Sequence, residues 1–190
     1  GAWLDHEQRT VLKKKYGNYA RETYTLFLQR VVETLLPSGR IVFIIPDTFL
    51  ALNLHKQFRS QLLMNTVIEE IVLFPSKFFP GVNFGYSNLC IITLTKCNPP
   101  LNSQIKIVHA NRDISQLVDI KNDKLSSADS NYFLNQGDIL ASSNKSFLLG
   151  KNQNYRKLIS EAQTTLVDIA DCVTGFYSGN NKEFMRKGDE

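Results

Sequence analysis

From Glu22 to Leu36 the apolar residues Tyr24, Phe27, Leu28, Val31, Val32, Leu35 and Leu36 recur at helical spacing, and Pro37-Ser38-Gly39 stops the helix. Ile41-Val42-Phe43-Ile44-Ile45 is then a continuous apolar, β-branched run, which is how a strand buried on both faces reads. A second helix is predicted over roughly Leu52 to Met64, with Phe58, Leu62 and Leu63 as its apolar stripe. Strands are predicted at Val67 to Leu73, Leu89 to Thr95 and Ile105 to His109. The helix-free link between the strands at 67–73 and 89–95 implies an antiparallel pair at that edge, because a parallel pair needs a longer crossover. This alternation predicts an α/β fold: a Rossmann-like half-domain with a mostly parallel sheet and an antiparallel edge strand. Residues 1–21 read as an irregular segment, and residues 111–154, rich in Asn, Ser and Asp, carry few long apolar runs. A short helix is predicted over Tyr155 to Ala162.

Composition narrows the picture mostly by exclusion. The 190 residues are 43% hydrophobic and 21% charged, ordinary for a globular chain, with no apolar run near the ~20 residues of a membrane span. Three cysteines without a CxxC pair argue against a disulfide framework or a zinc site and fit a reducing cytoplasm. The histidines, His6, His55 and His109, are far apart and lack metal-ligand spacing. Neither a Ser-His-Asp arrangement nor a pair of carboxylates stands out. A net charge of +4 permits a nucleic-acid partner without demanding one. The densest basic run, Lys13-Lys14-Lys15, reads as a solvated stretch, with a phosphate contact as the alternative.

The best candidate for chemistry is the loop from Phe74 to Gly81, with Phe74, Lys77, Phe78 and Phe79 between two prolines and a glycine. A loop after a strand sits where open α/β sheets bind ligands, and its aromatics could stack on a base or fill core beneath the loop.

Tyr24-x-x-Phe27-Leu28, followed by Leu35-Leu36-Pro37-Ser38-Gly39-Arg40 and the strand ending at Pro46, resembles the helix-then-strand block of N6-adenine DNA methyltransferases of restriction–modification systems. Phe79-Pro80 before the strand at Leu89 resembles that family's later target-base motif. Leu166 to Gly175 resembles the entry into its target-recognition domain. The resemblance implies transfer of a methyl group from S-adenosylmethionine to the amine of a flipped-out adenine in double-stranded DNA. It implies that Phe79 stacks on the target adenine, that Phe27 lines the cofactor's adenine pocket, and that Lys77 and Lys13, Lys14 and Lys15 contact DNA. It divides the chain into the second half of a catalytic domain (1–110), a connecting region (111–165) and the start of a recognition domain (166–190).

The family's cofactor glycine loop and catalytic Asn-Pro-Pro-aromatic loop precede the helix at Glu22, and here only 21 residues do. The expected reading is therefore a fragment, inactive alone, whose partner is the missing first half of the catalytic domain. Asn98-Pro99-Pro100-Leu101 lacks the aromatic fourth residue and follows a late strand, so it reads as a plain turn. The alternative function is a non-catalytic DNA-binding or specificity subunit that keeps the fold. A structural α/β interaction module unrelated to DNA is the third reading.

Overall fold

The computed structural model describes residues 4–17, 22–79, 88–122, 124, 130–150, 153–162, 164, 166–171 and 173. Two compact units divide the chain, residues 1–152 and 153–190.

The first unit begins with a helix, α1 (His6–Tyr16), where an irregular segment was expected. Asp5 starts it through a capping box: its carboxylate accepts from the Gln8 backbone N–H at 2.7 Å, and the Gln8 side chain accepts from the Asp5 N–H. The helix is polar on most sides, which hid it from the hydrophobic pattern; Tyr16 is buried and Leu12 packs against the core.

Helices α2 (Thr23–Thr34) and α3 (Lys56–Asn65) fall where their periodicity put them, and α3 is preceded by a tight 3-10 turn at Asn53–His55. The α2 stripe is rotated from the expected one. Thr25, Leu28 and Val32 face inward, while Phe27 is 66% exposed, because 100° of rotation per residue carries position 27 away from the 25/28/32 face. At the end of α2, the Lys96 ammonium donates to the carbonyls of Glu33 (2.9 Å) and Leu35 (2.7 Å), satisfying acceptors left open where the helix stops.

The sheet contains β1 (Arg40–Pro46), β2 (Val67–Phe74), β3 (Leu89–Thr95), β4 (Gln104–His109) and β5 (Ser130–Asn135), in the order β1-β3-β2-β4-β5. The α/β class stands, and the sheet differs from expectation in detail. β2 and β3 are antiparallel as predicted, but β3 is inserted between β1 and β2 instead of lying at the edge. Three of the four pairings are antiparallel, and only β2 with β4 is parallel. The link of residues 75–88 is short, so β3 must fold straight back beside β2; the α3 crossover leaves a one-strand gap between β1 and β2, which β3 fills.

Two cores form on opposite faces. Ile45, Ile71, Ile92 and Ile107 pack with Leu28, Val32, Phe58 and Leu62 under α2 and α3. Val72, Phe74, Leu89 and Val108 form the other with Ile120 of α4 (Ser115–Lys121). A bulge between Ile68 and Glu70 lets Ile68 and Ile71 face the same core despite their odd spacing. The freed Ile68 N–H donates to the Gln136 side chain at 3.0 Å, whose amide nitrogen donates to the carbonyls of Leu63 and Thr66. Gln136 opens α5 (Gln136–Ala141), so residues 111–150, expected as a connector, add a strand and two helices to this unit.

β1 corrects a second expectation. It is an edge strand, and Val42 (60% exposed) and Ile44 (52%) lie bare on the face opposite α2. A continuous apolar run reports what a strand can bury, not what is there to bury it.

The second unit contains α6 (Gln153–Glu161), with a surface ion pair of 3.7 Å between Lys157 and Glu161, and the short α7 (Leu166–Ile169). Beyond Asp171 only residue 173 of the expected recognition-domain entry is described.

Candidate functional site

β1, β2 and β4 run in the same direction, so their carboxyl ends share one edge of the sheet. Open α/β sheets place ligands there because the loops leaving those ends diverge and leave a crevice. Asp47 follows β1, Phe74 ends β2, His109 ends β4 and Asn88 leads into β3; with Asn111 and Leu149 they line a small cavity of about 130 Å³.

The cavity is polar on one side. Asp47 donates its backbone N–H to the Asn88 carbonyl at 3.1 Å. Burial raises the Asp47 carboxyl above its ordinary value, and a side-chain hydrogen bond from Asn88 partly opposes the shift. The Tyr132 hydroxyl donates to the Leu149 carbonyl at 2.7 Å, so at the 3.2 Å contact with His109 it accepts from the imidazole Nε2–H. A carboxyl, an amide and an imidazole thus gather where hydrogen-bonding groups of a ligand could be met.

Phe74 is buried at the centre of an aromatic group. Phe78 stacks on it at 5.9 Å between ring centroids, and Phe79 lies tilted at 6.0 Å. Phe79 is half-buried against the second core and Lys77 is exposed. The sequence-predicted loop therefore lies beside this edge, but among its phenylalanines it is Phe74 that lines the cavity. Pro80 and Gly81 lie outside the described residues.

A second polar cluster borders the same end of β1. The Tyr24 hydroxyl lies 3.0 Å from Thr48 Oγ1 and 3.3 Å from His55 Nε2. Burial pushes the Tyr24 phenol up to about 12, chiefly by desolvation, and holds His55 down at about 4, with the nearby Arg59 adding to the effect. His55 is therefore neutral at pH 7, and its buried Nδ1 has no partner among the described residues. The exposed Phe27 lies three residues beyond Tyr24 on α2, about one helical turn along.

The lysine triplet is not brought to the cavity. Lys13, Lys14 and Lys15 lie in the last turn of α1, exposed, with the Lys15 ammonium 4.9 Å over the Tyr16 ring. Asn98-Pro99-Pro100-Leu101 belongs to the turn between β3 and β4, as read from sequence, with the Ser103 N–H donating to the Pro100 carbonyl at 3.1 Å. Sequence reasoning missed Asp47, Asn88 and His109, which only the sheet topology brings together. Among the described residues no three potential metal ligands gather, and no helix is long and apolar enough to cross a membrane.

Residues 3–79 match the family described as Eco57I restriction-modification methylase. That span contains α1, α2, β1, α3, β2 and the loop through Phe79. The fold is similar to that of a modification subunit assigned to a type I restriction enzyme from Vibrio vulnificus (15% identity, TM-score 0.59), covering 77% of this chain and 34% of that one. A looser likeness joins it to the type I restriction-modification methyltransferase subunit from Streptococcus thermophilus (16% identity, TM-score 0.39), covering 54% of this chain and 24% of that one. The chain thus spans about a quarter to a third of the length of these structures. No curated protein matches it in sequence.

Proposed function

We propose, from the premise that residues 3–79 are a restriction–modification methylase segment, that this chain serves a site-specific DNA methyltransferase acting on adenine N6. The observation that carries the reading is the family match over residues 3–79, which takes in β1 and β2 and with them Asp47 and Phe74 of the carboxyl-edge cavity. The Vibrio likeness supports the fold alone.

In this reading the carboxyl edge receives a flipped adenine, because its amine is unreachable inside the duplex. Stacking on an aromatic compensates for the lost base stack, and hydrogen bonds hold the amine. We assign the stacking to Phe79, the half-buried ring of the trio, with Phe74 as its competitor from inside the cavity. Lys77, exposed in the same loop, is placed to meet a phosphate, and the lysine triplet offers a second cationic stretch.

S-adenosylmethionine, when bound, supplies a methyl group activated by its positively charged sulfur. Phe27 is proposed for its adenosine end: the ring is exposed on α2, about one turn from Tyr24, whose hydroxyl lies at Thr48 just after β1. The rest of the catalytic core, with the glycine loop and the Asn-Pro-Pro-aromatic loop, is taken as the partner. Its place is the free edge of β1, where Val42 and Ile44 are bare. Residues 1–110 then belong to the catalytic domain, 111–165 follow them, first adding β5, α4 and α5 to the same unit, and 166–190 open a recognition domain.

The test is single-turnover methylation of a duplex with one target adenine by the intact enzyme, with alanine at Phe74, Phe78 and Phe79 in turn. Base–aromatic stacking is worth roughly 1–3 kcal/mol. Phe79→Ala is therefore expected to cost about 5–150-fold at ~1.4 kcal/mol per tenfold, and Phe79→Tyr little. A crippled Phe74→Ala beside an unaffected Phe79→Ala moves the stacking to Phe74. Absence of any transfer to DNA overturns the reading.

A further inference from the structure

A second concavity of the first unit lies apart from the carboxyl-edge cavity. It is an open cleft of about 1100 Å³ whose walls come from three stretches of chain: α1, the segment Asn53–Gln61 that enters α3, and Lys145. Its lining holds Arg9, Lys13, Lys56 and Lys145 and, among the described residues, no aspartate or glutamate. Four basic side chains thus meet in one hollow with no acid among its described lining residues. Arg9, Lys13 and Lys56 have no ion-pair partner among the described residues.

The cleft is built by specific packing. Arg9 and Lys13 stand four apart on α1 and so share a face. Gly17 closes α1 with φ 77° and ψ −158°, a conformation open essentially to glycine, and its α-carbon hydrogens face Gln57 of α3 so closely that a Cβ there would lie 2.5 Å from the Gln57 Oε1. On the far wall the buried Arg59 donates from Nε to the Lys145 carbonyl and from Nη2 to the Asn144 carbonyl, each at 2.7 Å, fixing the loop that carries Lys145. The Lys145 ammonium itself is engaged with the carbonyls of Leu140 and Ser142 at the end of α5. Three cations are therefore left to act on a ligand.

We propose that this cleft is a phosphate-backbone seat for double-stranded DNA, held by Arg9, Lys13 and Lys56 and separate from the base-binding edge. The inference rests on the methyltransferase reading for its choice of DNA. The chemistry is that of backbone contacts: cations for phosphate charge, with neutral donors such as Asn53, Gln57 and Ser60 beside them for phosphate oxygens. It singles out Lys13 from the triplet, since Lys14 and Lys15 do not line the cleft. A flat anionic bilayer is disfavoured by the concave shape and by Leu54 as the one apolar side chain among the described lining residues.

The experiment uses the full chain and a fluorescein-labelled 20-base-pair duplex, followed by anisotropy over a salt series. Each phosphate contact contributes about 0.9 to the slope of log K against log salt. Arg9→Gln/Lys13→Gln/Lys56→Gln is expected to flatten the slope by about 2.7. A charge-matched control, Arg30→Gln/Lys121→Gln/Lys157→Gln, removes as much charge outside the cleft and is expected to flatten it by less than one unit. Binding by the wild-type chain with the same slope in the cleft triple, or an equal flattening in the control, overturns the cleft while leaving the methyltransferase reading intact. Binding to phosphatidylserine vesicles but not to the duplex also overturns it. A failure of the methyltransferase reading shows instead as no methyl transfer by the intact enzyme, whatever the slope.

Discussion

Arg59 is a fully buried guanidinium with no carboxylate beside it. Its charge is met chiefly by main-chain carbonyls, Phe49 and Leu52 at 2.7 Å from Nη1, Lys145 from Nε and Asn144 from Nη2, with the Ser146 hydroxyl at 3.5 Å from Nη2. Hydrogen bonds to a charged group are worth about 1.5–3 kcal/mol each, and removing the donor strands buried acceptors. Arg59→Leu is accordingly expected to cost at least about 3 kcal/mol in urea unfolding, more than any exposed substitution; a cost below 1 kcal/mol would show that water replaces the guanidinium freely. His55 supplies the pH dependence. Its folded-state value, about 4, lies below the ordinary 6.5, so the unfolded chain takes up the proton first. Its contribution to stability is whole above pH 6.5 and is lost as the pH falls toward 4. Asp47 works in the opposite sense, since a raised carboxyl favours the folded state once protonated. The melting temperature is expected to drop between pH 6.5 and 4, and His55→Phe to flatten that drop. An unchanged drop in the variant assigns the acid sensitivity to another group.

Element by element, the chain's own pattern announces what the hydrophobic effect controls. α2, α3 and the first four strands follow from their periodicity, with β3 recovered at its observed bounds. α1 escapes that pattern because it buries little beyond Tyr16 and Leu12; its only local signal is the capping pair Asp5 and Gln8. β5 escapes because its apolar run, Tyr132-Phe133-Leu134, is only three residues long inside a polar stretch, with Phe133 exposed at the sheet edge. α1 meets α3 where Gly17 touches Gln57. Gly17→Ala is expected to cost about 1–3 kcal/mol, because the φ and ψ there suit glycine alone. Pairing it with Gln57→Ala relieves the steric part and leaves the backbone part. Full rescue by the double variant would mean that crowding, not backbone conformation, fixes the glycine.

At the scale of the whole molecule, the site was legible as a place and not as a residue set. The aromatic loop after β2 stands out in the sequence, yet Asp47, Asn88 and His109 come from points 21 to 62 residues apart and meet only because three strands end at one edge. The order β1-β3-β2-β4-β5 is itself long-range, since β3 closes a gap that the α3 crossover opens. A charge of +4 said little, and the gathering of four basic side chains in one cleft says more. The central claim is that this architecture serves methyl transfer to adenine in DNA. The most direct measurement incubates the intact enzyme with methyl-tritiated S-adenosylmethionine and duplex DNA, digests the DNA to nucleosides and identifies the labelled one. Tritium in N6-methyldeoxyadenosine, reduced by Phe27→Ala through weaker cofactor binding with the melting temperature held, is the result expected. Tritium in a methylated cytosine, or none in the DNA, contradicts the account.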